Sequence, residues 1–424
     1  MSMLKRPEIA RQLDAKDPLA RFRTRFHVPR HGDGEAVYLC GNSLGLQPVT
    51  AAALVQETLE DWQRLAVRAH FEARHPWMPY HELATSRMAQ LVGAEPIEVV
   101  CMNSLTVNLH LMMVSFYRPT TQRHRILMEV GAFPSDRYAV ESQIRFHGYD
   151  PREALVLAAP RPGESSLRME DLEALIQRNA DTLALVLLPG VQYYTGEVYD
   201  FERIVRAARR RGIPIGLDLA HAVGNVPLQL HEWEVDFAVW CSYKYLNAGP
   251  GAVAGCFVHE RYARDTERPR FAGWWGHDKA SRFQMGPRFA PIPGAEGWQL
   301  SNPPILSFAP LLASLEIFAE AGMDALRAKS LQLSGYLEML LKDALGEQLD
   351  ILTPLAPSQR GCQLSVRLLG GATRGRALLW QLEARGIVCD WREPDVIRVA
   401  PVPLYNRFAD VHQFVATIAE LLRG

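Results

Sequence analysis

The sequence has no Cys-x-x-Cys pair, no long apolar run and almost no net charge. Each absence removes a class of protein. The six cysteines (Cys40, Cys101, Cys241, Cys256, Cys362, Cys389) stand far apart, mostly in apolar surroundings. They read as buried free thiols, not as a disulfide frame or a zinc site, and that fits a reducing compartment. No apolar segment approaches membrane-spanning length, and no basic start followed by an apolar run opens the chain, so the cytosol is the expected location. A formal charge of −1 supplies no long-range field for nucleic acid or anionic membrane. The densest basic run, Arg209-Arg210-Arg211, closes an expected helix, where cations are favoured in any case. No Gly-x-Gly-x-x-Gly follows a strand, which weakens a dinucleotide-binding oxidoreductase reading. His27 and His31 have helical metal spacing, but Pro29 interrupts it, and they read as surface residues. No histidine–carboxylate spacing points to a metal, and none is expected. There is no internal repeat and no low-complexity segment.

What remains is an ordinary globular composition, 48% apolar and 22% charged over 424 residues. That length can bury a large core and implies two domains. Strands are expected at Arg125–Glu129, Ala154–Leu157, Leu183–Leu188, Ile213–Leu217, Asp236–Cys241 and Val253–Val258. Helices are expected between them at Ser135–Phe146, Met169–Asn179 and Phe201–Arg211. Such alternation predicts an α/β fold with a mainly parallel sheet covered by helices. Ligands of such sheets sit outside the carboxyl ends of the strands. Past Pro310 the pattern changes, with helices at Leu311–Ala321 and Leu326–Leu345 and then mixed strands and helices. Residues 1–45 therefore read as an N-terminal arm, 46–310 as the large domain and 311–424 as a smaller α+β domain. Gly41 and Gly45 bracket a tight loop suited to a ligand or a partner chain. Phe271 to Pro304 is a long irregular segment, suited to a subunit contact or a lid.

Two stretches at that strand edge carry the chemistry. Gly216-Leu217-Asp218-Leu219-Ala220-His221 ends an apolar run in a carboxylate. Cys241-Ser242-Tyr243-Lys244-Tyr245-Leu246-Asn247 places a lysine just past another. Pyridoxal phosphate (PLP) chemistry needs this pair. The amine of Lys244 can form a Schiff base with the aldehyde. The carboxylate of Asp218 can hold the pyridine nitrogen protonated, because an adjacent anion favours the cation. Either residue alone would more often be a cap or a solvated side chain. Asn103 to Asn108 reads as a turn and helix start able to hold an anion.

Asp218–Asn225 and Ser242–Gly251 resemble kynureninase, a PLP enzyme of fold type I. Gly273-Trp274-Trp275-Gly276-His277, Ser301-Asn302-Pro303-Pro304-Ile305-Leu306 and Ile397–Asn406 are similar to the same family. The resemblance implies PLP as cofactor and a fold-type-I architecture. It implies Lys244 on the aldehyde, Asp218 on the ring nitrogen and His221 against the cofactor. It implies Leu105, Thr106 and Tyr243 around the phosphate, Phe133 stacked on the ring, and Pro134, Ser135 and Asp136 closing that segment. Trp274 and Asn302 match positions that reach the site across a homodimer interface. Arg398 matches the arginine that clamps the substrate carboxylate. His70 and Asn302 resemble the pair in members that prefer 3-hydroxykynurenine over kynurenine. The implied reaction is Cβ–Cγ hydrolysis to an anthranilate and alanine in tryptophan catabolism, with Tyr243 a proton donor by position. Where some members carry serine before Gly190, this chain has Pro189, which removes a hydrogen bond. An aminotransferase or a cysteine desulfurase would use the same scaffold. The desulfurase needs a mobile thiolate, and Cys362 and Cys389 lie in strand-like apolar runs instead. A non-catalytic scaffold would have lost Lys244 or Asp218.

Overall fold

The computed structural model describes residues 3–423, so Met1 and Ser2 of the expected arm and Gly424 of the expected C-terminal domain lie outside the described residues. Seven strands form the central sheet: β1 Val99–Cys101, β2 Arg125–Glu129, β3 Leu155–Ala158, β4 Leu183–Pro189, β5 Ile215–Asp218, β6 Phe237–Trp240 and β7 Gly255–Val258. Their spatial order is β1-β7-β6-β5-β4-β2-β3. Only β7 runs antiparallel to its neighbours. The fold is α/β with a mainly parallel sheet between helices, as the alternation predicts.

The strand residues explain the layering. Leu183 to Leu188 are apolar and buried on both faces, as a central parallel strand requires. Alternate residues feed two separate apolar clusters. Leu127, Val186, Leu188 and Leu217 join one, with the helices Glu82–Val92, Met169–Arg178, Phe201–Arg209 and Ile305–Ala321. Ile126, Met128, Leu185 and Leu187 join the other, with the helices Leu105–Phe116 and Pro134–Phe146.

A second, antiparallel sheet follows: β8 Leu349–Ile351, β9 Leu364–Leu368, β10 Asp390–Arg392 and β11 Val396–Val399, in the order β8-β9-β11-β10. With the helices Met323–Leu345 and Phe408–Leu421 it encloses its own apolar cluster. The register of β10 on β11 sets Asp390 opposite Arg398.

Some expectations shift. The helix expected from Leu311 begins at Ile305 and carries Pro310 inside it, so a boundary at 310/311 falls within one helix. Proline costs that helix one backbone hydrogen bond, and its largely buried apolar residues compensate by packing. The chain turns instead at Gly322, where the next helix leaves at 83°. His70 lies in a short helix, Ala69–Glu72. The loop from Gly41 to Gly45 packs against the chain's own lysine segment. Gly45 N–H donates to the Tyr243 carbonyl at 2.8 Å, and a Cβ on Gly45 would stand 2.3 Å from the Lys244 carbonyl oxygen. Among the described residues no single helix is long and apolar enough to cross a membrane.

Candidate active site

A cavity of about 170 Å³ opens at the carboxyl edge of the central sheet. Leu105, Thr106, Phe133, Ser135, Asp136, Asp218, His221, Tyr243 and Lys244 line it. Each reaches it from a strand end or a helix start. Asp218 closes β5, and Lys244 follows β6, its neighbour in the sheet.

The Lys244 amine meets His221 Nε2 at 2.9 Å. It stands 5.7 Å from the centre of the Phe133 ring and 5.8 Å from that of Tyr243. Burial first, and the charge of Lys244 second, hold His221 well below the usual imidazole range, so this histidine is neutral. Its Nδ1 is buried and has no partner. Burial pushes the Tyr243 phenol up, which keeps its proton on at neutral pH.

Three acids stand together on the same wall. Asp218 accepts the Ala220 N–H at 2.7 Å. Asp136 is driven well above the ordinary carboxyl range by burial first and by the neighbouring Asp218 next. Its Oδ1 has no hydrogen-bond partner. Glu129, at the end of β2, also lines the cavity and was not singled out from sequence. The signal was available, since it is a carboxylate leaving an apolar strand, as Asp218 is.

Two helix starts converge beside the acids. The helix Leu105–Phe116 begins after an extended Ser104 that makes no side-chain cap. The helix Pro134–Phe146 begins beside Phe133, also without a side-chain cap. Thr106 Oγ1 and Ser135 Oγ lie 2.9 Å apart across the gap. Uncapped N–H groups with two hydroxyls make an anion cradle. The Phe133 ring is 42% exposed and meets Tyr193 edge-on, so a face is open. An aldehyde, a ring nitrogen and a phosphate on one planar ring fit this set: the amine, the acids, the open aromatic face and the cradle. The residues present therefore suit PLP.

Pro134 begins its helix without lining the cavity. Arg398 sits beside the cavity, buried, and does not line it. Its Nε and Nη2 grip Asp390 at 3.3 and 2.6 Å, and Nη1 donates to the Tyr193 carbonyl at 2.8 Å. One N–H on each terminal nitrogen is left over from these bonds. Asp390 and Arg392 carry no sequence signal for this role, because only the pairing of β10 with β11 brings them to Arg398.

His70, Trp274 and Asn302 do not reach the cavity of their own chain. His70 Nδ1 pairs with the Val67 carbonyl at 3.0 Å, and its ring lies edge-on to Trp77. Trp274 donates its indole N–H to the Arg282 carbonyl, and Asn302 is exposed. Trp274 contacts Phe283, and Phe283 contacts Phe71 beside His70, so an exposed aromatic patch joins this loop to the helical turn. Pro189 lines the cavity, and the next N–H, of Gly190, goes to the Asp218 carbonyl at 2.6 Å.

The cysteines match expectation. Burial pushes the Cys362 thiol up to about 12 and raises Cys389 as well, against any role as a nucleophile. His27 and His31 are exposed. Tertiary contacts assemble two histidine–carboxylate clusters that no spacing shows, Glu98–His231–His259 and His81–Glu82–Glu296. In the first, Glu98 already accepts from Glu260 N–H at 2.8 Å and holds His231 at 3.0 Å. In the second, Lys279 sits 2.7 Å from Glu296.

Comparison with known proteins places this geometry. Residues 37–367 match the aminotransferase class-V family, and residues 326–418 match the kynureninase C-terminal domain. A kynureninase of Stenotrophomonas maltophilia is 60% identical over 406 residues, 96% of each chain. One of Myxococcus xanthus is 59% identical over 411 residues, also 96% of each. One of Koribacter versatilis is 57% identical over 405 residues, 95% of each. Among solved structures, a C-DES mutant with glycine covalently linked to its PLP cofactor superposes with a TM-score of 0.77 at 18% identity, covering 94% of this chain and 99% of the other. The cysteine desulfurase CsdA of Escherichia coli also gives 0.77 at 18%, covering 96% and 98%. At that identity the two structures speak for the fold alone.

Proposed function

The chain belongs to the kynureninase family, whose cofactor is PLP, and on that premise we propose that it hydrolyses kynurenine-type amino acids at Cβ–Cγ, with preference for 3-hydroxykynurenine, releasing the anthranilate and alanine. The observation that carries the reading is the Lys244–His221 contact inside a cavity that also holds Asp218 and two uncapped helix starts.

When bound, PLP supplies an electrophilic aldehyde and a protonated ring that withdraws electrons from the substrate's Cα. Lys244 would hold the aldehyde and Asp218 the ring nitrogen. Phe133 would cover a ring face, and His221 would lie against the ring. Leu105, Thr106, Ser135 and Tyr243 would bracket the phosphate, with Asp136 closing the wall. The amine of Lys244 is the base placed to take the Cα proton, and its partner His221, uncharged, does not compete for it electrostatically. Tyr243 keeps its phenolic proton and would be placed to deliver it to Cβ, the carbon that retains the electron pair of the broken bond. Arg398 is aligned by Asp390 and the Tyr193 carbonyl, leaving a planar fork for the α-carboxylate.

We assign His70, Trp274 and Asn302 to the site of a second copy in a homodimer. The exposed patch of Phe71, Trp274, Phe283 and Met285 supports this, since apolar surface of that kind marks an interface. The division into a cofactor-binding part and a covering part falls at Gly322. Free cysteines throughout support a cytosolic setting for tryptophan catabolism. Steady-state turnover of kynurenine and 3-hydroxykynurenine by the PLP-loaded protein tests the reading. A higher kcat/KM for the hydroxylated substrate is expected. Cleavage of neither would refute the activity, and a reversed preference would remove His70 and Asn302 from substrate selection.

A further inference from the structure

Glu129 has no part in the scheme above, yet it is 4% exposed and lines the same cavity as Asp136 and Asp218. Its carboxylate is clamped from behind. Tyr199, itself buried, donates its hydroxyl to Oε2, and Gln192 donates to Oε1 at 3.1 Å. Gln192 is held in turn. Its amide N–H also meets the Gly131 carbonyl at 2.8 Å, and its Oε1 accepts the Thr195 N–H at 2.9 Å. Both carboxylate oxygens of Glu129 are thereby held.

We propose that Glu129, lining one cavity with the Asp136–Asp218 pair and fixed by Tyr199 and Gln192, is a positioning residue that sets how much negative charge that pair presents to the cofactor ring. The inference rests on the reading of Asp218 as the partner of the ring nitrogen.

The charges around it explain why such a residue is needed. Glu129 faces Tyr199 and Gln192 directly and feels Asp218. Asp136 feels both Asp218 and Glu129. Glu197 and Tyr193 lie within the same field. Lys244 is the cation that offsets Asp136. Three buried carboxylates beside one amine cannot all ionise cheaply, so a proton stays among them. Burial raises Glu129 to about 7 even against the two hydrogen bonds that favour its ionised form. Around neutrality, then, Glu129 is protonated on the acid side. Once ionised, it adds its own charge and strengthens the hold on a cationic ring.

Two variants separate this from mere packing. Glu129→Gln copies the shape of the protonated acid and never ionises. Tyr199→Phe keeps Glu129 but removes the hydrogen bond that favours its ionisation. In the protein without PLP, infrared difference spectra over pH should show a carboxyl that ionises near pH 7 in wild type. The step should vanish in Glu129→Gln and move to higher pH in Tyr199→Phe. In the PLP-loaded protein, the pH midpoint of the visible absorption should fall by about one unit in Glu129→Gln. PLP affinity should change by less than about tenfold. Identical infrared steps in wild type and Glu129→Gln overturn the proposal, as does an unmoved absorption midpoint. A wild type that takes up no colour with PLP would instead remove the Lys244 assignment, and the infrared arm would still decide Glu129.

Discussion

The wall of the cavity and the aromatic patch beside it are built on opposite plans. Lys244, His221, Asp218, Asp136 and Glu129 sit at strand ends or helix starts, and all are buried. Phe71, Trp274, Phe283 and Met285 sit on a helical turn and on the irregular segment after Phe271, with 40–69% of their surface exposed. Hydrogen bonds and strand register place most groups of the wall. The patch is held mainly by aromatic contacts with itself, and its outer face meets water. Residues that need a fixed protonation state are found in the first region. Trp274, which we propose serves the site of a second copy, is found in the second, and His70 adjoins it through Phe71. The difference teaches that one chain brings together the groups proposed to hold the cofactor, whereas on our proposal substrate selection depends on assembly.

The largest effect should come from breaking the wall at its centre. Lys244→Ala should lose turnover by at least about 10²–10⁴-fold, the usual contribution of a placed base, and lose the visible absorption of bound PLP. Mixing that variant with Asn302→Ala sharpens the contrast. If the patch serves the neighbouring copy, the mixed sample regains part of the activity that each variant lacks, because one of its two sites is whole. No recovery after subunit exchange would confine each site to a single chain.

Next in size is the pair that aligns Arg398. Asp390→Ala would strand a buried guanidinium, and breaking such a pair costs roughly 3–5 kcal/mol. Thermal unfolding should show that loss, and KM should rise more than kcat falls. If stability holds and only KM moves, Arg398 has found another partner and the wall is less rigid than its bonds suggest.

The smallest effect is a pH slope. Burial raises Glu197 from 4.5 to about 8, against the Leu167 N–H that lowers it. The folded state therefore keeps a proton that the unfolded state has already released. Glu197 contributes its stabilisation in full below about pH 4.5 and loses it as pH rises through about 8. Glu197→Gln should flatten that part of the stability curve by roughly 1–3 kcal/mol, the cost of one buried polar group. Denaturant titrations of the PLP-free protein at several pH values would measure it, and an unchanged slope would mean the carboxyl is ionised when folded.

Long apolar strands were legible in sequence because every residue pointed the same way. Arg125–Glu129 matches its expected span, and Leu183–Pro189 adds one residue. Two short strands were not. Ile387–Val388 and Asp390–Arg392 exist by pairing with Val37–Tyr38 and with Val396–Ile397–Arg398, partners that local pattern cannot see. Pro310 misled because proline usually stops a helix, and here packing on both sides of it carried the helix through. Most of the cavity wall was legible through its motifs. Glu129 escaped because no motif surrounds it.

Local order in the sequence settled the sheet, its helices and the kinds of reacting group at its edge, since periodicity and residue chemistry are properties of neighbours in the chain. Folding in three dimensions decided which acid keeps a proton, which carboxylate holds Arg398, and which aromatic rings face outward. Those outcomes depend on burial and on charges brought together from distant segments, and a buried carboxyl changes its proton affinity only when the walls around it are assembled.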